Sequence, residues 1–218
     1  NNDITNLEGL QNVEKIQGDL NLDSNNSMVD FNGLQNCRSI RKLFISGFSP
    51  KLNGLENLEK LNELYLFLSS MKNLKGFKKL DTIRTIRVTF HKVDLDFEGL
   101  ENIRYFENLL CDGNKANFRL GSLDNLNLDN GPKSIYFFNN TKFTSCNSRF
   151  LCRALKRPNV SLVFESNGTN CKTKADIDCK WTAATVQAFF DKNQNGIQEF
   201  GEHGIPDIKF KLDGETLL

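Results

Sequence analysis

One stretch near the end of the chain carries side chains that could bind a metal ion. It matches the twelve-residue calcium loop Asp-x-Asn-x-Asn-Gly-x5-Glu in full. Side-chain oxygens recur at alternate positions, Gly196 permits the sharp bend, and the final carboxylate can bind through both oxygens. Hard oxygen ligands in this number suit Ca²⁺, whereas Mg²⁺ resists losing its water shell. The sequence therefore predicts one structural Ca²⁺ site, with the ligands Asp191, Asn193, Asn195, Ile197 through its carbonyl, Glu199 directly or through water, and Glu202.

Two short apolar segments flank this loop and would position its ligands. Val186–Phe190 precedes it, and Ile208–Leu212 follows with the alternation of a β-strand. Asn and Gly also favour turns without a metal, so a plain turn is the alternative to the Ca²⁺ site. With Glu202–Pro206 after the loop, the region resembles the opening of the calcium-binding B-type repeat of bacterial surface adhesins. The resemblance implies that residues 181–218 are the truncated start of an immunoglobulin-like β-sandwich, a fold of about 100 residues.

The six cysteines divide into two groups with different expected chemistry. Cys37 and Cys111 occupy apolar positions of the repeat that fills residues 1–145, so we expect them to be buried as small hydrophobic residues. The other four crowd into residues 146–179, contain no Cys-x-x-Cys pair and lie far from both histidines, which argues against zinc. Two disulfides are the better interpretation. Three pairings are possible, and the one we favour joins Cys146 to Cys171 and Cys152 to Cys179.

A repeated unit of the form apolar-x-Gly-[Leu/Phe]-x-[Asn/Lys/Asp]-apolar organises residues 1–145. The units follow one another every 21–24 residues, a period typical of solenoids. In the first five units, a short apolar–polar alternation comes next, which predicts one β-strand per repeat. A single repeat cannot bury its apolar face, so neighbouring repeats must stack. The six units open at Leu7, Phe31, Leu52, Leu74, Phe97 and Leu120.

Two positions of the repeat have a specific structural meaning. The glycine suits a tight turn, where a side chain would clash or φ must be positive, and the Asn suits hydrogen bonds to turn backbone. The pattern Leu-x-Gly-Leu-x-Asn-Val-x-x-Ile-x-Gly-Asp-Leu-x-Leu over Leu7–Leu22 resembles a leucine-rich repeat of the type related to the receptor L domain. That resemblance implies a right-handed, ligand-binding solenoid that rarely carries catalysis. The Asn expected after each strand is irregular, with only Asn25 near the position, which leaves open whether helices or turns form the convex side.

The segment after the repeats resembles the cap that closes such solenoids in secreted proteins of flavobacteria-like organisms. The resemblance rests on Ser145–Asn147, Phe150–Leu155, Pro158–Val160, Gly168–Cys171 and Asp176–Cys179. A solenoid end exposes apolar surface and needs a cap, which disulfides can stabilise. Because disulfides persist in oxidising compartments, we expect an extracellular protein, secreted or attached to the cell surface.

These patterns divide a mainly β chain into three parts. A leucine-rich-repeat-like solenoid occupies residues 1–145, a disulfide-linked C-terminal cap occupies 146–180, and the sandwich start occupies 181–218. The chain begins inside the first repeat and ends within a strand pattern, so we expect a piece of a longer protein.

Composition argues against several partners and activities. With 28 basic and 27 acidic side chains, the formal net charge of +1 gives no steering towards nucleic acid or an anionic membrane. No run of 18 apolar residues occurs, so we expect no transmembrane helix. His91 and His203 are the only histidines, and no Ser-His-Asp, metal–His or phosphate-loop arrangement is present. We therefore expect no enzymatic activity, the alternative being a carboxylate pair acting on a glycosidic bond.

Stacking the repeats aligns the side chains that point out of the strand face. The positions between the inward residues form two columns, because side chains alternate along a strand. Five aromatic residues on a solvent-facing surface indicate a partner site, and an aromatic ladder that stabilises the sheet is the alternative. The predicted ligand-binding residues are Phe44, Tyr65, Phe67, Arg87, Tyr136 and Phe138.

Three functions fit these observations. We favour a non-catalytic extracellular binding module, adhesin-like or protein-recognising, that presents the concave face of the solenoid to a protein or glycan. The second is a structural spacer in a long surface protein. The third is an accessory region that directs a secreted hydrolase to glycans.

Overall fold

The computed structural model describes residues 4–124, 126, 128, 131–179, 210–212 and 215–217. The chain forms two compact units, residues 1–179 and 180–218. The first unit contains the repeats and the Cys-rich segment. In the second unit, the structure describes one pair of strands.

A parallel β-solenoid fills the first unit, which confirms the repeat architecture. Its main sheet has seven parallel strands, and a small second sheet has two. The elements in chain order are β1 (Lys15–Asp23), β2 (Ser39–Ser46), β3 (Lys60–Phe67), β4 (Thr82–Thr89), β5 (Leu95–Asp96), β6 (Tyr105–Asp112), β7 (Phe118–Arg119), a 3-10 helix (Gly121–Leu123), β8 (Ser134–Phe138), α1 (Arg149–Leu155), β9 (Ser161–Glu165) and a second 3-10 helix (Lys174–Asp176). The small sheet consists of β5 and β7.

The apolar positions of each repeat point into one continuous core. In β3, Leu61, Leu64 and Leu66 are fully buried, whereas Tyr65 and Phe67 lie half-buried on the outer face. The equivalent inward positions of β2, β4 and β6 are buried as well. Burial of apolar surface, at about 25 cal/mol per Å², therefore holds the repeats together.

The strand register confirms both predicted columns. β1 is irregular between Ile16 and Asp19, where the first repeat is one residue longer than the next. Both columns also continue into β9 through Val163 and Glu165, a seventh strand that the sequence analysis did not identify. The first column contains Asn21, Phe44, Tyr65, Arg87, Leu110 and Tyr136, and the second contains Asp23, Ser46, Phe67, Thr89, Asp112 and Phe138.

The repeated glycine is required for two reasons at once. Gly33 has φ 113°, and a Cβ there would lie 1.8 Å from the carbonyl oxygen of Leu7 in the preceding repeat. Gly54 repeats this relationship to Phe31 at 2.2 Å. The glycine therefore permits both the turn and the close stacking of neighbouring repeats.

The Asn of the repeated unit links neighbouring turns. Asn36 Nδ2 donates to the carbonyl of Gln11 at 2.8 Å, and Asn57 Nδ2 donates to that of Gln35 at 2.8 Å. Asn102 does the same at 3.2 Å to Lys78. The prediction of bonds to turn backbone is confirmed, but the acceptor belongs to the preceding repeat.

The Asn position after each strand is irregular, as expected, because Phe48, Ser69 and His91 hold it in three repeats; the statement that only Asn25 lies near it is wrong. Asn114, Asn140 and Asn167 occupy equivalent buried positions, each three residues after the last inward residue of its strand. Asn114 Nδ2 donates to Asn140 Oδ1 at 2.7 Å, and Asn140 Nδ2 donates to Asn167 Oδ1 at 2.8 Å. His91 holds the same position in the preceding repeat, and its backbone N–H donates to Asn114 Oδ1 at 2.7 Å. A buried ladder of polar side chains therefore runs along this edge of the sheet.

Two disulfides cross-link the cap, in the pairing that we favoured. Cys146 is bonded to Cys171 and Cys152 to Cys179. The helix α1 begins at the cap residue Ser148, whose side chain accepts a hydrogen bond from the backbone N–H of Leu151 at 3.1 Å. Phe150, Leu151 and Cys152 of α1 are buried against the end of the core. The two other cysteines, Cys37 and Cys111, are free and buried as expected.

Turns, extended segments and one 3-10 helix connect the strands of the repeats over the part of the chain that the structure describes. The α-helix α1 lies in the cap, beyond the sixth repeat. The open question about the convex side is thus answered in favour of turns.

The second unit contains a described antiparallel pair of strands, β10 (Phe210–Leu212) and β11 (Glu215–Leu217). β10 covers the end of the predicted strand Ile208–Leu212. The predicted strand Val186–Phe190 and the Ca²⁺ ligands lie outside the described residues.

Candidate ligand-binding face

Four aromatic rings form a cluster on the outer face of β2, β3 and β4. Tyr65 packs edge-on against Phe44, with ring centroids 4.9 Å apart, and edge-on against Phe67 at 6.0 Å. Phe90, directly after β4, packs edge-on against Phe67 at 5.8 Å. We call Phe44, Tyr65, Phe67 and Phe90 the aromatic cluster.

Two cations border the aromatic cluster. The guanidinium carbon of Arg87 lies 5.4 Å from the ring centroid of Tyr65. Lys42 Nζ lies 5.7 Å from the same ring and 5.8 Å from that of Phe44. At these distances a cation is attracted to the face of the ring by about 0.5–1 kcal/mol. The surface therefore combines apolar rings with positive charge.

The backbone turns sharply at the residue directly after each main-sheet strand, which we call the strand-end corner. All seven corner residues have positive φ, and the N–H of each of the first six donates to the carbonyl of the last residue in the next strand. Such a conformation favours Gly, and Asn tolerates it better than large apolar residues do. The corner residues are Ser24, Gly47, Leu68, Phe90, Gly113, Asn139 and Ser166.

Leu68 and Phe90 are the exceptions among these corners. Their φ angles are 49° and 51°, and their side chains are 38% and 50% exposed. A bulky residue in left-handed backbone costs about 1–2 kcal/mol, and an exposed side chain recovers little of that by burial. Phe90 is the member of the aromatic cluster at the strand ends, and Leu68 directly follows its member Phe67.

The predicted ligand-binding residues fall into two groups. Phe44, Tyr65, Phe67 and Arg87 lie together in and beside the aromatic cluster. Tyr136 and Phe138 form a separate stacked pair on β8, with centroids 5.7 Å apart, and β6 lies between the groups. The structure therefore brings four of the six together.

Sequence reasoning missed Leu68 and Phe90. The columns were followed only to the last strand residue, and both residues stand one position later. The signal was nevertheless present, because the same position carries Gly, Ser or Asn in the other repeats. A large apolar residue at such a position identifies an exposed corner.

A charged cluster lies at the start of the strand face, away from the aromatic rings. Glu107, whose side chain is 11% exposed, accepts a hydrogen bond from Lys133 Nζ at 2.8 Å and pairs with Arg84 at 3.3 Å. The Tyr105 hydroxyl donates to the same carboxylate. The hydrogen bond from Lys133, with that from Tyr105, lowers the pKa of Glu107. The carboxylate is thus held ionised by its partners.

The described residues bring together no group of three or more His, Cys, Asp or Glu side chains suited to a metal ion. Burial raises the pKa of the Cys111 thiol well above its ordinary value and also raises that of Cys37. Neither thiol is therefore prepared to act as a nucleophile at neutral pH.

Comparison with known proteins gives no family assignment. No protein-family model, curated protein or solved structure matches the chain. Across the described residues, no helix is both long and apolar enough to span a bilayer.

Proposed function

We propose that this chain is a non-catalytic extracellular binding module whose strand face recognises a protein. In this proposal the repeats form a right-handed leucine-rich-repeat-like solenoid of the receptor L-domain type. The observation that carries it is the exposure of two residues in left-handed backbone, Phe90 within the aromatic cluster and Leu68 next to it in the chain. Backbone strain of this kind concentrates at functional sites.

A purely structural role explains the aromatic rings but not these two corners. Packing between Phe44, Tyr65 and Phe67 stabilises the sheet by about 0.2–1 kcal/mol per pair. At Leu68 and Phe90, Gly or Asn would relieve the backbone and cost little burial. The corner residues therefore favour a role in recognition over a role as a structural spacer.

The chemistry of the surface favours a protein partner over a sugar. Aromatic residues and Arg are enriched where protein interfaces gain most of their binding energy. Three ring pairs of the aromatic cluster meet edge-on at interplanar angles of 64–81°, while Phe44 and Phe67 lie nearly parallel at 23°. The edge-on Tyr65 and Phe90 make the apolar surface uneven. Such a surface suits apolar side chains of a polypeptide.

The remaining features complete the proposal. Two disulfides favour an oxidising, extracellular setting. We also propose that residues 181–218 begin an immunoglobulin-like β-sandwich, in which the loop from Asp191 to Glu202 holds one structural Ca²⁺. The complete twelve-residue motif supports the ion.

Peptide-display selection against the whole chain tests the binding function. Selected peptides should bind at least about tenfold more weakly to the double variant Tyr65→Ser/Phe67→Ser, because truncating central aromatic residues commonly costs 2 kcal/mol or more. Val29→Ser, which removes a 55% exposed apolar side chain elsewhere, is the matched control and should change nothing. Failure to select any peptide, or peptides that bind both variants equally, would refute the proposed face. A glycan array probed in parallel would reveal a sugar ligand instead.

A further inference from the structure

The turn between β3 and β4 differs chemically from the other turns. Residues 71–80 contain four lysines and no acidic residue. In the other turns of this type, a Gln or Glu side chain accepts a hydrogen bond from the turn glycine, as Glu56 does from Gly54 at 2.8 Å. Lys78 occupies that position here and has no acceptor. Lys78 therefore replaces a side chain that stabilises the turn elsewhere.

A cleft of about 350 Å³ adjoins this turn, outside the seven-stranded sheet. Lys51, Lys72 and Lys75 line it, and none of its lining residues is acidic. Within the described residues, Lys51 and Lys72 form no ion pair, whereas Lys75 pairs with Glu98 at 2.8 Å. The cleft also offers neutral donors from Ser49, Asn53, Ser70 and Asn73.

The next repeat carries further lysines, but there they stand beside acidic residues. Lys75 and Lys78 line a second cleft of about 410 Å³ on the next repeat, which also contains Glu98 and Glu101. Successive repeats place their strands about 4.8 Å apart, so lysines from neighbouring repeats can contact successive charged groups of one polymer. A polymer that runs along the repeats can therefore contact lysines from more than one of them.

We propose that the cleft lined by Lys51, Lys72 and Lys75 binds the carboxylate or sulfate groups of an anionic polysaccharide. Proteins that bind single-stranded nucleic acid usually offer aromatic rings for base stacking, and no ring lines the cleft. Lysine ammonium groups and neutral donors match the acidic and hydroxyl groups of such a polymer. The site is separate from the aromatic cluster, and it does not depend on protein recognition there.

Calorimetry of the whole chain with dextran sulfate and with polygalacturonate, at low salt, tests this site. Replacing Lys51, Lys72 and Lys75 together with Gln should weaken binding of at least one polymer by about tenfold or more, since polyanion affinity depends on the neutralised charges. The matched control replaces the exposed lysines Lys60, Lys115 and Lys142 with Gln. That control removes the same charge and should change the affinity less than about twofold.

Other outcomes would overturn the inference. Equal weakening by both triple variants would show a response to net charge alone, and equal binding of neutral dextran would show that acidic groups are not recognised. If neither polyanion binds, the proposed site is refuted. If a single-stranded oligonucleotide bound more tightly than either polysaccharide, and the first triple variant lost that binding, the ligand of the cleft would be a nucleic acid.

Discussion

The ring of Phe90 lies over Gly113, the corner residue of the next repeat. A Cβ on Gly113 would lie 2.6 Å from Cε1 of Phe90. The glycine thus leaves the space in which the ring reaches Phe67 at 5.8 Å. Two neighbouring corners therefore cooperate to hold an exposed aromatic side chain in place.

Adding a side chain at Gly113 should displace the ring of Phe90. The φ of Gly113 is 65°, so Ala there also strains the backbone. We expect Gly113→Ala to lower the free energy of unfolding by about 1–2 kcal/mol, measured by chemical denaturation. Gly47→Ala, at a corner with φ 83° where the added Cβ meets nothing within 4 Å, is the control. An equal loss in both variants would contradict the proposed contact.

Relieving the strained corner should separate stability from recognition. Asn tolerates left-handed backbone and occupies the same corner at Asn139. We expect Leu68→Asn to leave the free energy of unfolding unchanged or to raise it by up to about 1 kcal/mol. Peptides selected on the strand face should nevertheless lose affinity for this variant, as calorimetry would show.

The reverse substitution provides the control for this corner. Asn139→Leu places a bulky side chain in the same backbone conformation without the aromatic cluster beside it. Its free energy of unfolding should fall by about 1 kcal/mol. Destabilisation by Leu68→Asn, or a stable Asn139→Leu, would mean that the corner geometry is not the source of strain.

Short-range patterns predicted the fold well because the sequence of each repeat determines the geometry of that repeat. The turn glycine, the alternating strand and the period are local signals, so the register of Phe44, Tyr65 and Arg87 followed from counting residues. The Asn ladder escaped notice because its members bond across repeats. Asn114 and Asn140, 26 residues apart, become partners only after stacking.

The candidate site was only partly predictable for a related reason. Alternation along a strand identified which rings face outward, but not which of them touch. The grouping of Tyr65 with Phe44, and the separation of Tyr136, depend on ring packing across strands. The left-handed corners at Leu68 and Phe90 are not indicated by their own residue types, and only alignment with the Gly and Asn of the other corners could have revealed them.

Removing the centre of the buried Asn ladder should destabilise the solenoid strongly. Asn140 donates to the carbonyl of Cys111 at 3.0 Å and to Asn167, and it accepts from Asn114. Asn140→Ala leaves several buried groups without partners, at a cost of about 1–3 kcal/mol for each unsatisfied group. Asn36→Ala, which removes one exposed bond, should cost about 0.5–1.5 kcal/mol in the same denaturation experiment. Similar losses in the two variants would contradict a buried ladder.

Stability should fall as the pH drops below about 6.5, through His91. Burial lowers the pKa of His91, whose Nε2 lies 2.8 Å from the Met71 carbonyl and whose Nδ1 has no partner within the described residues. The unfolded chain therefore binds a proton that the folded chain does not, and the free energy of unfolding decreases by at most about 1.4 kcal/mol per pH unit. Denaturation curves between pH 8 and pH 5 should show this decrease.

Substituting each histidine in turn isolates the effect. His91→Asn should remove the pH dependence between pH 6.5 and pH 5, since Asn does not titrate and occupies the same ladder position in three later repeats. His203→Asn should retain it. A loss of the pH dependence only in His203→Asn would show that His203, and not His91, causes it.

Reduction should unfold the cap before the repeats. The two disulfides close loops with sequence separations of 25 and 27 residues, and each contributes about 3 kcal/mol. With reductant, hydrogen exchange should increase first in α1 and β9 and later in β3 and β4. Mass spectrometry without reductant should find both bonds, with Cys37 and Cys111 free. Simultaneous exchange of all strands would show that the cap and the repeats unfold as one unit.

The loop from Asp191 to Glu202 should bind one Ca²⁺. Only three of its proposed ligands are carboxylates, those of Asp191, Glu199 and Glu202, so the affinity should lie in the weak extracellular range of about 0.1–1 mM. Calorimetry with CaCl₂ should give one site, and MgCl₂ should give little heat because Mg²⁺ keeps its water shell. Asp191→Ala and Glu202→Gln should each abolish the signal, whereas Asp207→Asn, an acidic residue outside the loop, should keep it. Millimolar Ca²⁺ without heat in the parent chain would refute the site, and the segment would then be a plain turn between two strands.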